Sequence, residues 1–362
     1  MPQVQLNDRV VKILSQIMAS QKNRLKESLE QTKQLEVGTI LNQEIMSVRS
    51  HKGYGGTTYV VQARLHTTFA EVVNGGIVIK FANKIDEETG NAMQLHELLK
   101  VRQQEWDAMP QDRLPPLIKS FPPNLFAPAV LETVIIPNSD IHCLILEFVE
   151  NGIPLIDSQE RGGFSEKLQV LGYSLARLHG TRSMMTEMAM YDPLMNHMRG
   201  YASDRSLAHW ADILRQSMGS VDLIHGDSHL QNILRSNPGT LAWIDAMLVE
   251  HSDRMDDVGY ALSYLIQKYS RQLVMDGYSS EEVVKYLVDV VTQNWVPEVM
   301  NGYMATIDIS RLYHYLTLDF FLGSHCIVRS GLWNDPQMKG IMKEVGRHFI
   351  EQWPVNRFYG RI

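Results

Sequence analysis

Val221-Asp222-Leu223-Ile224-His225-Gly226-Asp227-Ser228-His229-Leu230-Gln231-Asn232-Ile233-Leu234 is the stretch on which the fold turns. A short, largely apolar strand runs into His225, and Gly226 permits a tight turn. Asp227 follows, then Asn232 five residues later, before the chain becomes apolar again at Ile233 and Leu234. A second run, Leu241-Ala242-Trp243-Ile244, ends on Asp245. An Asp and an Asn at this spacing can stand on opposite sides of one loop, and Asp245 comes beside that loop if the two short strands pair. Carboxylate and amide oxygens of this kind suit Mg²⁺, which keeps water or phosphate oxygens in its remaining positions. His225 and His229 flank Asp227, a grouping that transition metals also favour. No further His or carboxylate string such as His-Glu-x-x-His accompanies it, so His225 reads as a brace for the loop.

Upstream, the period of the sequence is two. Ile40 to Val48 and Thr57 to Leu65 are rich in β-branched residues and are separated by Lys52-Gly53-Tyr54-Gly55-Gly56, a Gly-rich hairpin turn. Gly76 to Phe81 is a third strand, with Lys80 near its end. Residues 86 to 109 read as a helix carrying Leu95, Leu98, Leu99 and Met109. Ala129 to Ile136 and Ile141 to Val149 are two more strands, joined through Pro137-Asn138-Ser139-Asp140. An antiparallel sheet with one inserted helix therefore precedes residue 151. Ahead of it, Val10, Leu14, Ile17, Met18, Leu25 and Leu29 recur at helical spacing over 8–36, a helix that packs on the domain or makes a dimer.

Beyond Asn151-Gly152-Ile153-Pro154 the pattern becomes helical. Ser165 is placed to cap a helix carrying Leu168, Leu171, Leu175 and Leu178. Long helical patterns fill 255–275, 280–296, 307–328 and 336–352. The expected fold class is α+β, with a helical extension over 1–38, a sheet lobe over 39–150 and a larger, mostly helical lobe over 151–362.

With 362 residues the chain can bury a large core. Its net charge of −7 disfavours general nucleic-acid binding, which needs a basic face. No run reaches the roughly 18 apolar residues of a membrane span, and no N-terminal apolar segment resembles a signal peptide, so a cytoplasmic protein without a membrane role is expected. Cys143 and Cys326 lie among apolar neighbours and read as buried thiols.

His225-Gly226-Asp227-x-x-x-x-Asn232 followed by Ile244-Asp245 resembles the aminoglycoside phosphotransferase and choline kinase-like family, a branch of the protein-kinase-like fold. Leu175-Ala176-Arg177-Leu178-His179-Gly180 is similar to that family's helix before the catalytic loop, and Asp257-Val258-Gly259-Tyr260 to its Asp-Leu-Ala segment. The resemblance covers roughly residues 39–350. It implies a two-lobed small-molecule kinase that moves the γ-phosphoryl group of ATP, or of GTP, to a hydroxyl with Mg²⁺. By the same resemblance Asp227 is the catalytic base, Asn232 and Asp245 are the Mg²⁺ ligands, and Asp257, with His225 and His229 in support, braces the loop. Lys80 contacts the α- and β-phosphates and pairs with a helix glutamate, Glu105 or Glu97. Gly53, Gly55 and Gly56 close over the phosphates, and Glu147, Phe148 and Val149 hold adenine through backbone groups. Two departures stand out: the glycines do not form Gly-x-Gly-x-x-Gly, and no Gly-Asp-Pro follows Asp245.

The implied partner is a small-molecule acceptor: an aminoglycoside, choline, a sugar or another alcohol. Glu250, Asp253 and Asp256 read either as holding a cationic amine or as a solvated loop, and Trp295, Tyr303, Tyr313, Tyr315, Phe320, Phe321 and Trp333 offer either core packing or an aromatic cage. Three other readings share parts of the pattern. A protein-serine/threonine kinase would carry an Ala-Pro-Glu-like segment after Asp245, which is absent. A non-catalytic nucleotide-binding protein would lose the base or the metal ligands. A metal-dependent hydrolase would use His225, Asp227 and His229.

Overall fold

A computed structural model of the chain describes residues 16–17, 19, 40–52, 56–67, 72–82, 85–109, 121–122, 124–135, 142–149, 151–157, 163–180, 221–236, 239–305 and 311–351. Two compact units account for the chain. The first draws on Met1–Lys100, Phe126–Ile153 and Leu234–Asp245, the second on Val101–Leu125, Pro154–Ile233 and Ala246–Ile362. The α+β class expected from the sequence is the one observed. The helix over 8–36 lies outside the described residues apart from Gln16, Ile17 and Ala19, which are helical.

The first unit is built on five strands: β1 (Ile40–Lys52), β2 (Gly56–Thr67), β3 (Val72–Ala82), β5 (Val130–Ile135) and β6 (His142–Glu147). Their order is β1-β2-β3-β6-β5, and every pairing is antiparallel. β3 is the middle strand, so Lys80 is not an edge charge; it lies opposite Thr58 on one side and Leu144 on the other. Alternation along β3 buries Ile77 and Ile79 on one face and turns Lys80 to the other. Helix α1 (Ile85–Asp107) follows β3 almost at once. Its first turn carries Asp86, Glu87 and Glu88, where the helix dipole favours negative charge, and Leu95 and Leu99 are buried.

β4 (Asn124–Phe126) and β7 (Ile153–Pro154) are short segments on either side of β5 and β6 in the chain. The second unit is mostly helical: α2 (Phe164–His179), α3 (Arg254–Met275), α4 (Ser280–Val290), α5 (Val296–Met304), α6 (Arg311–Ser330) and α7 (Pro336–Glu351). The cap of α2 is Gly163 without a side-chain bond; Ser165 sits inside the helix and caps nothing. The single helix expected over 280–296 is two, joined by a π turn at Val291–Trp295. α2 and α5 cross in very close approach. A Cβ on Gly172 would fall 1.9 Å from the Val299 carbonyl, and one on Gly302 the same distance from the Gln169 carbonyl. Four short strands flank or follow the loop quoted above in the chain: β8 (Val221–Ile224), β9 (Ile233–Arg235), β10 (Thr240–Trp243) and β11 (Val249–Asp253). β8 pairs with β11, and β10 with β9, so the two strands expected to pair belong to different sheets.

Cys143 and Cys326 are buried, as expected. Among the described residues no helix is long and apolar enough to cross a membrane.

Candidate active site

The loop between β8 and β9 is held by its own backbone and by the first turn of α3. Gly226 has φ +78°, a left-handed conformation that glycine adopts without a Cβ clash. The backbone N–H of His229 bonds the Asp227 carbonyl at 2.9 Å, and that of Asn232 the His229 carbonyl at 2.8 Å. Asp257, fully buried, accepts from the backbone N–H of His225 at 2.8 Å and of Gly226 at 2.9 Å. It also accepts from His179 Nε2 at 2.9 Å. Burial alone would raise the Asp257 pKa; the hydrogen bond and charge of His179, with His225 behind them, outweigh it and hold the carboxyl below its ordinary value. Ser228 Oγ donates to the Asp257 carbonyl at 2.6 Å. His225 is buried, and its Nδ1 lies 3.3 Å from the Asp227 N–H. Asp257 and His225 thus fix the loop's backbone.

Asp227 itself is partly open, its side chain 22% exposed. Tyr260 Oη donates to Oδ1 at 2.6 Å and Asn232 Nδ2 to Oδ2 at 3.0 Å. Asn232 Nδ2 also reaches the Asp227 carbonyl at 2.9 Å. The amide nitrogen is thereby turned toward Asp227, which leaves Oδ1 of Asn232 as the end available to a cation. His229 Nε2 stands 3.6 Å from Asp227 Oδ1, and its ring stacks on Tyr264 at 4.4 Å. Burial raises the Tyr260 pKa well above its usual value, with Asp227 adding to the rise, so its hydroxyl stays protonated and serves as a donor.

In the first unit, Lys80 Nζ bonds Glu88 Oε2 and lies 3.1 Å from Asp245 Oδ1. Burial tends to lower the Lys80 pKa, but Asp245 and Glu88 together leave it raised, so the ammonium is charged at any working pH. The helix glutamate on Lys80 is therefore Glu88. Glu97 and Glu105 start about 13 Å and 25 Å farther along α1 at 1.5 Å per residue, beyond the reach of a side chain on β3. Glu97 is exposed, and Glu105 pairs with Arg102 at 2.9 Å. Asp245 is exposed and has φ +56°, a conformation uncommon for any residue but glycine and easier for Asp than for most. Such an outlier at the end of a strand is the kind of local strain that functional sites retain.

Gly53 and Gly55 lie outside the described residues; Gly56 opens β2 opposite Ala82. β6 ends at Glu147, whose N–H bonds the Ala129 carbonyl at 2.9 Å; Phe148 follows, and the Val149 carbonyl accepts from Gly152. Of the acidic residues noted near the acceptor, Asp253 is buried as the cap of α3 and Asp256 bonds His325; both are engaged within the protein. The side chain of Glu250 lies outside the described residues. Trp295, Tyr303, Phe320 and Phe321 are buried in the core, so packing, not a cage, accounts for them. Among the described residues, no group of three or more His, Cys, Asp or Glu side chains is arranged to hold a metal, which leaves the hydrolase reading without its centre. Glu88 and Tyr260 were not singled out from the sequence. The acidic turn 86–88 directly after a strand was a usable signal for Glu88, and the i, i+3 relation of Tyr260 to Asp257 a faint one.

No family model and no curated protein matches the chain. Solved structures do. Choline kinase LicA from Streptococcus pneumoniae aligns at 12% identity over 91% of this chain and 98% of its own, with a TM-score of 0.45. An aminoglycoside phosphotransferase from Alicyclobacillus acidocaldarius aligns at 12% identity over 84% and 91%, with a TM-score of 0.44. A Plasmodium vivax ethanolamine kinase aligns at 13% identity over 88% and 83%, with a TM-score of 0.38.

Proposed function

We propose that the chain is a small-molecule kinase of the protein-kinase-like class, transferring the γ-phosphoryl group of ATP, or of GTP, to a hydroxyl. The observation that carries this reading is Asp227: a partly exposed carboxylate on a glycine-turned loop, with its backbone braced by Asp257 and its two oxygens held from separate sides. In the proposed reaction Asp227 accepts the proton of the acceptor hydroxyl. The acceptor oxygen bonds phosphorus as the bond to the β,γ-bridging oxygen breaks, and the nucleoside diphosphate leaves. Lys80, kept cationic by Glu88 and Asp245, neutralises phosphate charge.

Asn232 Oδ1 and the Asp245 carboxylate are hard oxygen donors of the kind Mg²⁺ takes, and they would hold it together with phosphate oxygens. When bound, Mg²⁺ supplies charge neutralisation on the phosphates. Backbone groups of Glu147, Phe148 and Val149 are the proposed adenine contacts, and Gly53, Gly55 and Gly56 the proposed phosphate cover. The acceptor is a small alcohol.

The test is nucleoside diphosphate release from Mg-ATP with a panel of choline, ethanolamine, aminoglycosides and sugars, and with water as the basal acceptor. Asp227→Asn is expected to lower kcat by about 10²–10⁴-fold while nucleotide affinity stays within about twofold. Equal turnover by mutant and wild type rejects the reading.

A further inference from the structure

We propose that Tyr260 is a positioning residue for Asp227 and that Arg329 holds Tyr260 in that role; the inference rests on Asp227 being the base. The contacts that brace the loop end on its backbone, at His225 and Gly226. They do not set the rotation of the Asp227 carboxylate. That rotation is set by two donors, Asn232 Nδ2 on Oδ2 and Tyr260 Oη on Oδ1. Tyr260 lies one helical turn beyond Asp257 on α3, so the same helix pins the loop and aims its carboxylate. Each carboxylate oxygen has a second lone pair, which leaves room for an acceptor hydroxyl.

Behind Tyr260 stands a buried cation of α6, Arg329, which also faces the Tyr264 ring at 5.3 Å. Arg329, 7% exposed, lays its guanidinium 4.3 Å from the Tyr260 ring centroid. It is anchored by Ser263 Oγ at 2.9 Å and Gln267 Oε1 at 3.0 Å, both neutral. Among the described residues it bonds no carboxylate, and its Nη2 has no hydrogen-bond partner. A buried cation without an acid partner is costly, and such groups are retained where their charge is used. Here the cation sits on the face of a phenol whose hydroxyl bonds an anion. Cation to ring and hydroxyl to carboxylate are two successive favourable contacts. A cation on the ring strengthens the phenol as a donor, and the ring cannot turn without leaving the guanidinium.

The experiment is steady-state release of inorganic phosphate from Mg-ATP with water as acceptor, for wild type, Asp227→Asn, Tyr260→Phe, Arg329→Gln and the Tyr260→Phe/Arg329→Gln double variant. Thermal unfolding of each variant reports on folding. Tyr260→Phe is expected to lower kcat about tenfold, the scale of one hydrogen bond to a charged group, with KM for Mg-ATP within about twofold. Arg329→Gln is expected to lower kcat about threefold alone and to add nothing in the Tyr260→Phe background, because its effect passes through the hydroxyl. Wild-type kcat in Tyr260→Phe, or losses that multiply in the double variant, overturns the inference and leaves the proposed function standing. Turnover that does not depend on Asp227 overturns both. If Arg329→Gln fails to fold, Arg329→Lys, which keeps the charge and loses the planar stacking, takes its place under the same criterion.

Discussion

Lys80 is surrounded by more acid than a surface lysine would be, and this decides what its loss should do. Its ammonium lies between Glu88 and Asp245. Removing it leaves two carboxylates facing each other near the expected phosphates, a repulsion added to the lost cation. Lys80→Met should lower kcat/KM for Mg-ATP by about 10²-fold, measured against wild type at equal Mg²⁺. Glu88→Gln should produce a clear loss in the same assay, whereas Glu97→Gln and Glu105→Gln should leave it within twofold, since neither reaches Lys80. Asp257 gives a pH prediction at the same scale. Its folded pKa is depressed, so it contributes stability above the ordinary carboxylate range, and that stability is lost as the pH falls through the folded value. Wild type should lose stability as the pH falls below about 4, the ordinary carboxylate value. Asp257→Asn should be destabilised by about 3 kcal/mol near neutral pH, because His179 and two loop N–H groups lose a buried anion, and should show a weaker dependence on acid. Urea unfolding across a pH series checks both. An Asp257→Asn protein as stable as wild type at neutral pH would refute the bracing role.

At the scale of elements, the loop's position depends on two helices, which meet it through the last turn of α2 and the first three turns of α3. α2 delivers His179 to Asp257 from its last turn, and α3 delivers Asp257 from its first. α2 is seated on α5 by the reciprocal contact of Gly172 and Gly302 with carbonyl groups of the opposite helix. A methyl group there meets rigid backbone and forces the helices apart. Gly172→Ala and Gly302→Ala should each cost about 2–3 kcal/mol in denaturant unfolding. Gly90, in α1, has no atom within contact distance of an added Cβ, so Gly90→Ala is the control and should be neutral or slightly stabilising. The cap of α3 is a smaller effect: Asp253 accepts from the Met255 N–H at 2.7 Å, and Asp253→Ala should cost about 1 kcal/mol.

For the whole molecule, the informative fact is how the chain is divided. The segment Leu234–Asp245 belongs to the same compact unit as the five-stranded sheet, although it begins 87 positions after the sheet's last strand ends at Glu147. The compact unit that holds Lys80 therefore closes only after most of the chain has been made. A fragment covering 39–150 contains Lys80 and Glu88 but lacks Asp245 and the strand leading to it. It is expected to show no cooperative thermal transition by circular dichroism, whereas the full chain does. A sharp transition in the fragment would show that the sheet is self-sufficient.

The sequence by itself determined the α+β class, the five strands and inserted helix of the first unit, and the loop from His225 to Asn232. Those features are written in local periods, β-branched runs and Gly or Pro breaks, and short-range geometry suffices to read them. It also marked Asp227, Asn232, Asp245 and Lys80, because a motif is a matter of residue type and spacing. It did not determine their neighbours. Lys80 and Asp245 are 165 positions apart, and Tyr260 and Asp227 are 33 apart. Which side chain completes such a pair depends on where elements begin, which strands adjoin and how closely helices cross. The tertiary structure therefore chose Glu88 over Glu105 and Glu97 for Lys80, placed β8 against β11, and set Tyr260 on the oxygen of Asp227. The reason is physical: periodicity fixes which face of an element is buried, but only packing decides what that face meets.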